Sequence, residues 1–152
     1  MTELVRDVMT PRVVAVPPGA TLVDAAQLMR AEDIGDVLVA DQGVLVGVLT
    51  DRDIMVRAVA EGADPLTVSA GTVCTPDPVV IGPDEAVSTA VTLMREHAVR
   101  RLPVVSHGKP VGMVSLGDLA VSRDPGSVLA DISRAAPDSL RGMPGTSGPA
   151  PA

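Results

Sequence analysis

The sequence predicts an α/β (α+β) fold in which two β-α-β-β-α repeats, related by a pseudo-twofold, pack together as one module. Three observations predict it. Shifted by 65 residues, Val8 to Val56 overlies Val73 to Val121 without a gap, and 15 of the 49 positions are identical. Each copy carries an apolar stripe at helical spacing, followed by two short β-rich runs around a tight turn. Each half is small for a free-standing fold, so its apolar face is buried most readily against the other half.

The elements follow in order. Glu3 to Met9 and Val68 to Cys74 read as short lead-in helices to the two halves. An extended run comes next, Val13 to Val16 in the first half and Val79 to Ile81 in the second, broken by Pro18-Gly19 and Pro83-Asp84. Leu22, Ala25, Ala26 and Met29 then fall at i, i+3, i+4 and i+7, as do Val87, Ala90, Val91 and Met94, which marks an amphipathic helix in each copy. Strands are expected at Val37 to Ala40 and Val44 to Leu49 about Asp41-Gln42-Gly43. Their counterparts are Leu102 to Val105 and Val111 to Val114. A second helix opens at Asp51 and ends near Gly62, and its partner runs from Leu116 to just before Asp124-Pro125-Gly126. The division expected is 1–66 for the first repeat, 67–124 for the second, 125–136 for a closing helical turn and 137–152 for a disordered Pro/Gly/Ser/Ala-rich tail.

Composition narrows the function. Of 152 residues, 12 are Lys or Arg and 19 are Asp or Glu, a net charge of −7. A basic surface for phosphate backbones is missing, so no nucleic-acid partner is expected. With no Phe, Trp or Tyr, base-stacking platforms and aromatic cages are excluded. Cys74, the single cysteine, cannot form an internal disulfide and reads as a small buried apolar residue. The opening residues carry acids where a secretory leader carries bases. The longest apolar run, Val44 to Leu49, is far short of the ~20 residues that span a membrane. A cytoplasmic protein with no membrane partner is therefore expected.

Val8-Met9-Thr10-Pro11 and Thr75-Pro76 open the two repeats, and Arg100-Arg101-Leu102-Pro103-Val104-Val105 lies within the second. Gly47-Val48-Leu49-Thr50-Asp51-Arg52-Asp53 and Gly112-Met113-Val114-Ser115-Leu116-Gly117-Asp118 close them. In this order, twice at a constant offset, these segments resemble a tandem pair of CBS (cystathionine-β-synthase) domains over roughly residues 5 to 123. The short stand-alone form is similar to the actinobacterial stress or hypoxic-response type. The resemblance implies repeats packed sheet to sheet, a cleft between the sheets, adenine-nucleotide sensing and disc-like homodimers.

The residues support that chemistry independently. Thr50 and Ser115 each stand where a strand meets a helix, and a helix tip with a hydroxyl suits an anion. Asp53 and Asp118 lie one turn on, where an ionised carboxylate can accept hydrogen bonds from a ribose diol. The resemblance assigns these roles to the same positions, phosphate to Thr50 or Ser115 and ribose to Asp53 or Asp118. Aliphatic residues of the first strand of each repeat are placed to sandwich an adenine. Arg100 and Arg101 match family positions that carry phosphate-binding bases, and a guanidinium suits phosphate. The equivalent residues of the first repeat are Gly35 and Asp36. An anionic ligand is accordingly expected to favour the site of Ser115 and Asp118, although each cleft can borrow residues from both repeats.

Plainer readings stand beside these. Thr50-x-x-Asp53 and Ser115-x-x-Asp118 are also capping boxes. Arg100 and Arg101 can be solvated surface residues. Met29, Met55 and Met94 read as core fillers, with a share in the dimer face that the resemblance implies. His97 and His107 are isolated, and no metal is expected. Ser115 sits in no Gly-x-Ser-x-Gly elbow, and Walker and dinucleotide fingerprints are missing, so the chain is not read as an enzyme. Two functions remain. One is a regulatory protein that senses an adenosyl ligand of the AMP, ADP, ATP or S-adenosylmethionine class and acts through its homodimer or an unknown regulated protein. The other is a ligand-free CBS-pair scaffold.

Overall fold

The computed structural model describes residues 2–135, and the tail expected at 137–152 lies outside the described residues. The chain runs α1 (Val5–Val8), β1 (Ala15–Val16), α2 (Leu22–Glu32), β2 (Asp36–Asp41), β3 (Val44–Thr50) and α3 (Asp51–Ile54), which continues as a π-helical turn, Met55–Val59. The second half runs α4 (Ala70–Val73), β4 (Thr75–Pro76), α5 (Val87–His97), β5 (Arg101–Ser106), β6 (Lys109–Ser115) and α6 (Leu116–Arg123), followed by α7 (Val128–Arg134).

The internal duplication extends to single residue pairs. Val16 pairs parallel with Val39, and its 65-residue counterpart Ile81 bridges Val104, also parallel. Val48 pairs antiparallel with Thr75, and Met113 bridges Thr10 in the same sense. Both central hairpins slip register at the same place, between Val39 and Ala40 and between Val104 and Val105. Left-handed residues recur too, Asp33 with Ala98 and Gln42 with His107. The strand expected at Val79 to Ile81 reduces to the Ile81 bridge. It is held by the Ile81 N–H to the Pro103 carbonyl at 3.1 Å and the Val105 N–H to the Ile81 carbonyl at 2.8 Å.

The two bridges at Thr10 and Thr75 exchange material between repeats. The segment after α1 adds an edge to β6 of the second repeat, and β4 adds one to β3 of the first. The lead-in helices follow their strands. Val5 of α1 is buried among Val87, Ala90, Met94, Leu102, Val104 and Val114. Ala70, Val73 and Cys74 are buried among Leu22, Met29, Val37, Val39 and Leu49. Each fully buried Val, Leu, Ile or Met contributes about 1.5–3 kcal/mol, so the exchange ties the repeats together through both cores. The sheets meet along β3 and β6, where the Leu45 N–H donates to the Gly108 carbonyl at 3.1 Å.

The α2 stripe is rotated from the expected one. Leu22, Ala25 and Met29 are buried, but Ala26 is exposed and Leu28 packs against the core in its place. At 100° per residue Ala26 sits on the far flank of a stripe centred near Ala25. On α5, Val87, Ala90 and Met94 are buried with Val91 at their margin. Met29 and Met94 fill the two cores as expected, while Met55 is 59% exposed.

Candidate functional site

Both Thr/Ser-x-x-Asp segments fold as reciprocal caps. Thr50 Oγ1 accepts the Asp53 N–H at 3.0 Å, and Asp53 Oδ2 accepts the Thr50 N–H at 3.0 Å. Ser115 Oγ accepts the Asp118 N–H at 3.1 Å, and Asp118 Oδ2 accepts the Ser115 N–H at 2.9 Å. One carboxylate oxygen of each aspartate thus serves its own helix. The other oxygen of Asp53 lies 3.8 Å from Arg57 Nε. Arg57 also donates to the Val73 carbonyl at 3.1 Å, so it fastens α3 to the lead-in of the second repeat.

Each cap stands at the foot of a separate cleft. The larger cavity, about 760 Å³, holds Thr50 and Asp53. Its apolar walls are Val48, Pro78, Val79, Val99, Pro103 and Met113. The smaller, about 220 Å³, holds Ser115 and Asp118 together with Thr10, Val14 and the Arg12–Glu32 ion pair. Ligand pockets run from roughly 300 to 1,000 Å³, and only the larger cavity falls in that range. First-strand aliphatics reach both clefts as expected, Val79 in the larger and Val14 in the smaller.

The arginines are distributed against expectation. Arg100 lines the cleft of Thr50 and Asp53, not that of Ser115 and Asp118, and Arg101 lines both. The reason is topological. β2 and β5 begin beside each other, so Arg100 of the second repeat reaches the cap of the first. The cleft beside Thr50 thus holds the guanidinium groups of Arg52, Arg100 and Arg101, and the one beside Ser115 those of Arg12 and Arg101. Arg52 joins Arg100 in the larger cleft. Among the described residues neither has a carboxylate within ion-pair distance.

The helix tip itself is less open than expected. The Asp51 N–H donates to the Gly35 carbonyl at 2.8 Å, the Arg52 N–H to Asp51 Oδ1 at 2.8 Å, and the Asp53 N–H to Thr50 Oγ1. With the first amides of α3 engaged, an anion here must be held mainly by side chains.

Asp36 is the site residue that sequence reasoning undervalued. It lines both clefts, and its carboxylate lies 3.5 Å from Arg101 Nε, with the aspartate side chain 12% exposed and the arginine 52%. Burial pushes the Asp36 carboxyl above its ordinary range, Arg101 pulls it back and Asp51 adds to the rise. The available signal was the 65-residue offset, because 36 and 101 are equivalent positions and equivalents meet at a pseudo-axis. Cys74 is buried, and its thiol is pushed up by burial and by Asp53, which makes it a poor nucleophile. Among the described residues, no three His, Cys, Asp or Glu side chains come together as a metal site, and no helix is long and apolar enough to cross a membrane.

Comparison with known proteins agrees with this architecture. The model of the CBS domain matches residues 5–59 and 70–123. CBS domain-containing protein YhcV of Bacillus subtilis is 42% identical over 133 residues, spanning 85% of this chain and 94% of its own. Hypoxic response protein 1 of Mycobacterium tuberculosis is 39% identical over 116 residues, spanning 76% and 81%. Among solved structures, Hypoxic Response Protein I with two coordinated zinc ions superposes at a TM-score of 0.72, with 38% identity and coverage of 78% and 97%. CBSX2 in complex with AMP superposes at 0.68, with 29% identity and coverage of 78% and 94%.

Proposed function

The chain belongs to the CBS domain family as a tandem pair, and from that premise we propose that it is a regulatory binding protein for an adenosine-containing ligand. The ligand class is AMP, ADP, ATP or S-adenosylmethionine, and the site is the cleft of Thr50 and Asp53. One observation carries the reading. A cavity of about 760 Å³ has aliphatic walls and, at its polar end, a capped aspartate beside two arginines that have no carboxylate partner among the described residues. Aliphatic walls suit a purine face, the second oxygen of Asp53 suits a ribose diol, and Arg52 and Arg100 suit phosphate. CBSX2, whose structure holds AMP, is a relative with the same fold.

The protein is read as cytoplasmic and non-enzymatic, with its output passing through a homodimer or a regulated partner. Met55, Val56 and Val59 are large apolar side chains exposed together on the turn after α3, and they support a helix-to-helix contact between copies. Ligand shifts that assembly only by binding one of its states more tightly.

A ligand-free scaffold is the second reading, favoured by the closure of both Thr/Ser-Asp segments on their own backbones. Calorimetric titration with AMP, ADP, ATP and S-adenosylmethionine separates the two. Heat with at least one of them, lost in Asp53→Ala, supports the sensor. Silence across the panel supports the scaffold.

A further inference from the structure

The larger cleft contains more charge than a capped aspartate and two arginines. Its lining includes Asp36, Asp51, Asp53 and Asp77 on one side of the balance and Arg52, Arg100 and Arg101 on the other. These groups are not equally available. The charge of Asp53 is balanced by Arg57, 3.8 Å from the carboxylate oxygen that remains open to a diol, and the charge of Arg101 is balanced by Asp36. Among the described residues, two guanidinium groups therefore remain without a carboxylate partner, those of Arg52 and Arg100. A single phosphate group carries roughly −1.5 to −2 charges near neutral pH. With Asp51 and Asp77 in the same lining, these two cations suffice for at most one such group. A diphosphate or triphosphate exceeds them, and the remaining cation in the cleft is Arg101.

Recruiting Arg101 has a consequence at Asp36. The aspartate side chain is 12% exposed, whereas Arg101 is 52% exposed on a long, flexible stem. The arginine is free to swing and the carboxylate is not. Once Arg101 turns toward a ligand, Asp36 is left as a buried carboxylate without a cation, an arrangement strongly disfavoured in a poorly solvated wall. Asp51 lies close enough to raise that cost, since it already destabilises the charged form of Asp36.

We infer that Asp36 determines phosphate-number specificity at the Thr50–Asp53 cleft: by holding Arg101, it favours adenosyl ligands with one phosphate over those with two or three. The inference rests on the adenosyl-binding reading and adds the residue that selects within that class. Asp36 is a positioning residue here, because it acts on the ligand through Arg101.

The test is calorimetric titration of the full chain with adenosine, AMP and ATP in the absence of divalent cations, for the wild type, Asp36→Asn and Arg101→Met. Wild type binds AMP more tightly than ATP. Asp36→Asn releases Arg101 without leaving a buried charge, and the AMP-to-ATP affinity ratio falls about tenfold, the worth of one charge-assisted contact. Arg101→Met removes the recruitable cation, and the ratio rises. A general loosening of the fold would weaken AMP and ATP alike and leave their ratio unmoved, so the ratio separates the two effects. A wild type that prefers ATP, or a ratio that Asp36→Asn leaves unmoved, overturns the inference while adenosine and AMP binding keep the broader reading standing. Silence of the wild type to all three ligands overturns that broader reading and this inference together. If Asp36→Asn does not fold, Arg101→Met decides alone, and an unchanged or lower ratio there overturns the inference.

Discussion

Gly47 faces Cys74 so closely that a Cβ added to the glycine would lie 2.6 Å from the cysteine Sγ and 2.9 Å from the Thr75 carbonyl oxygen. The pseudo-twofold repeats the arrangement at Gly112, where a Cβ would lie 2.6 Å from the Thr10 carbonyl oxygen and 3.0 Å from Met9 Sδ. Each glycine marks the point where one repeat's exchanged edge crosses the other's central strand. Gly47→Ala is expected to destabilise the chain by about 1–3 kcal/mol, measured by urea unfolding. Cys74→Ala in the same chain recovers only part of the loss, because the Thr75 carbonyl remains in place.

The caps separate stability from ligand binding. Asp53→Ala and Asp118→Ala each remove the carboxylate half of a reciprocal cap and are expected to cost about 0.5–1.5 kcal/mol without any ligand present. Asp53→Asn keeps a carbonyl oxygen able to accept the Thr50 N–H, so most of that stability is retained. The same change weakens adenosine binding, because an amide replaces the carboxylate that faces the diol. Parallel thermal unfolding and calorimetry on the two variants check the distinction.

Asp36 gives the chain a recognisable pH signature. Its carboxyl is raised in the folded state, first by burial and then by Asp51, with Arg101 opposing. In the unfolded chain it titrates near the ordinary aspartate value of about 3.9. Between that value and the higher native one, the folded state holds more protons than the unfolded state. The contribution of Asp36 to stability therefore grows as pH falls through its native pKa, and is constant below the unfolded value. The stability of the wild type relative to Asp36→Asn is expected to increase on acidification from neutrality toward that range. Urea unfolding of both proteins across the interval measures it, and carboxyl-carbon NMR places the native midpoint above the ordinary value.

The apolar group on the turn after α3 predicts an assembly state. Met55 and Val59 are both more than half exposed and lie outside either cleft. Met55→Glu with Val59→Glu is expected to convert a sedimenting dimer into a monomer with unchanged secondary structure. A wild type that sediments as a monomer at micromolar concentration contradicts the proposed dimer face.

Much of this architecture was readable from the 65-residue offset, because duplicated periodicities reinforce one another. The hairpins at Asp41-Gln42-Gly43 and Ser106-His107-Gly108 are examples, since each combines β-rich flanks with a left-handed glycine. The caps at Thr50 and Ser115 were readable for the same reason, being local over three residues. Long-range placement was not. Nothing local to Arg100 indicates that its strand begins beside the first repeat's cap, and nothing local to Val5 indicates burial in the second repeat's core. The pairing of Asp36 with Arg101 depends on both strands starting at the pseudo-axis, a property of the packed repeats and not of either segment.

The central claim is that the cleft of Thr50 and Asp53 receives an adenosyl ligand whose phosphate meets Arg100. The most direct measurement is calorimetric titration of the wild type and Arg100→Ala with AMP and with adenosine. The account predicts that AMP binds the wild type, that Arg100→Ala weakens AMP about tenfold, and that adenosine affinity is unchanged by the substitution. Equal loss for both ligands, or no binding of AMP to the wild type, would contradict it.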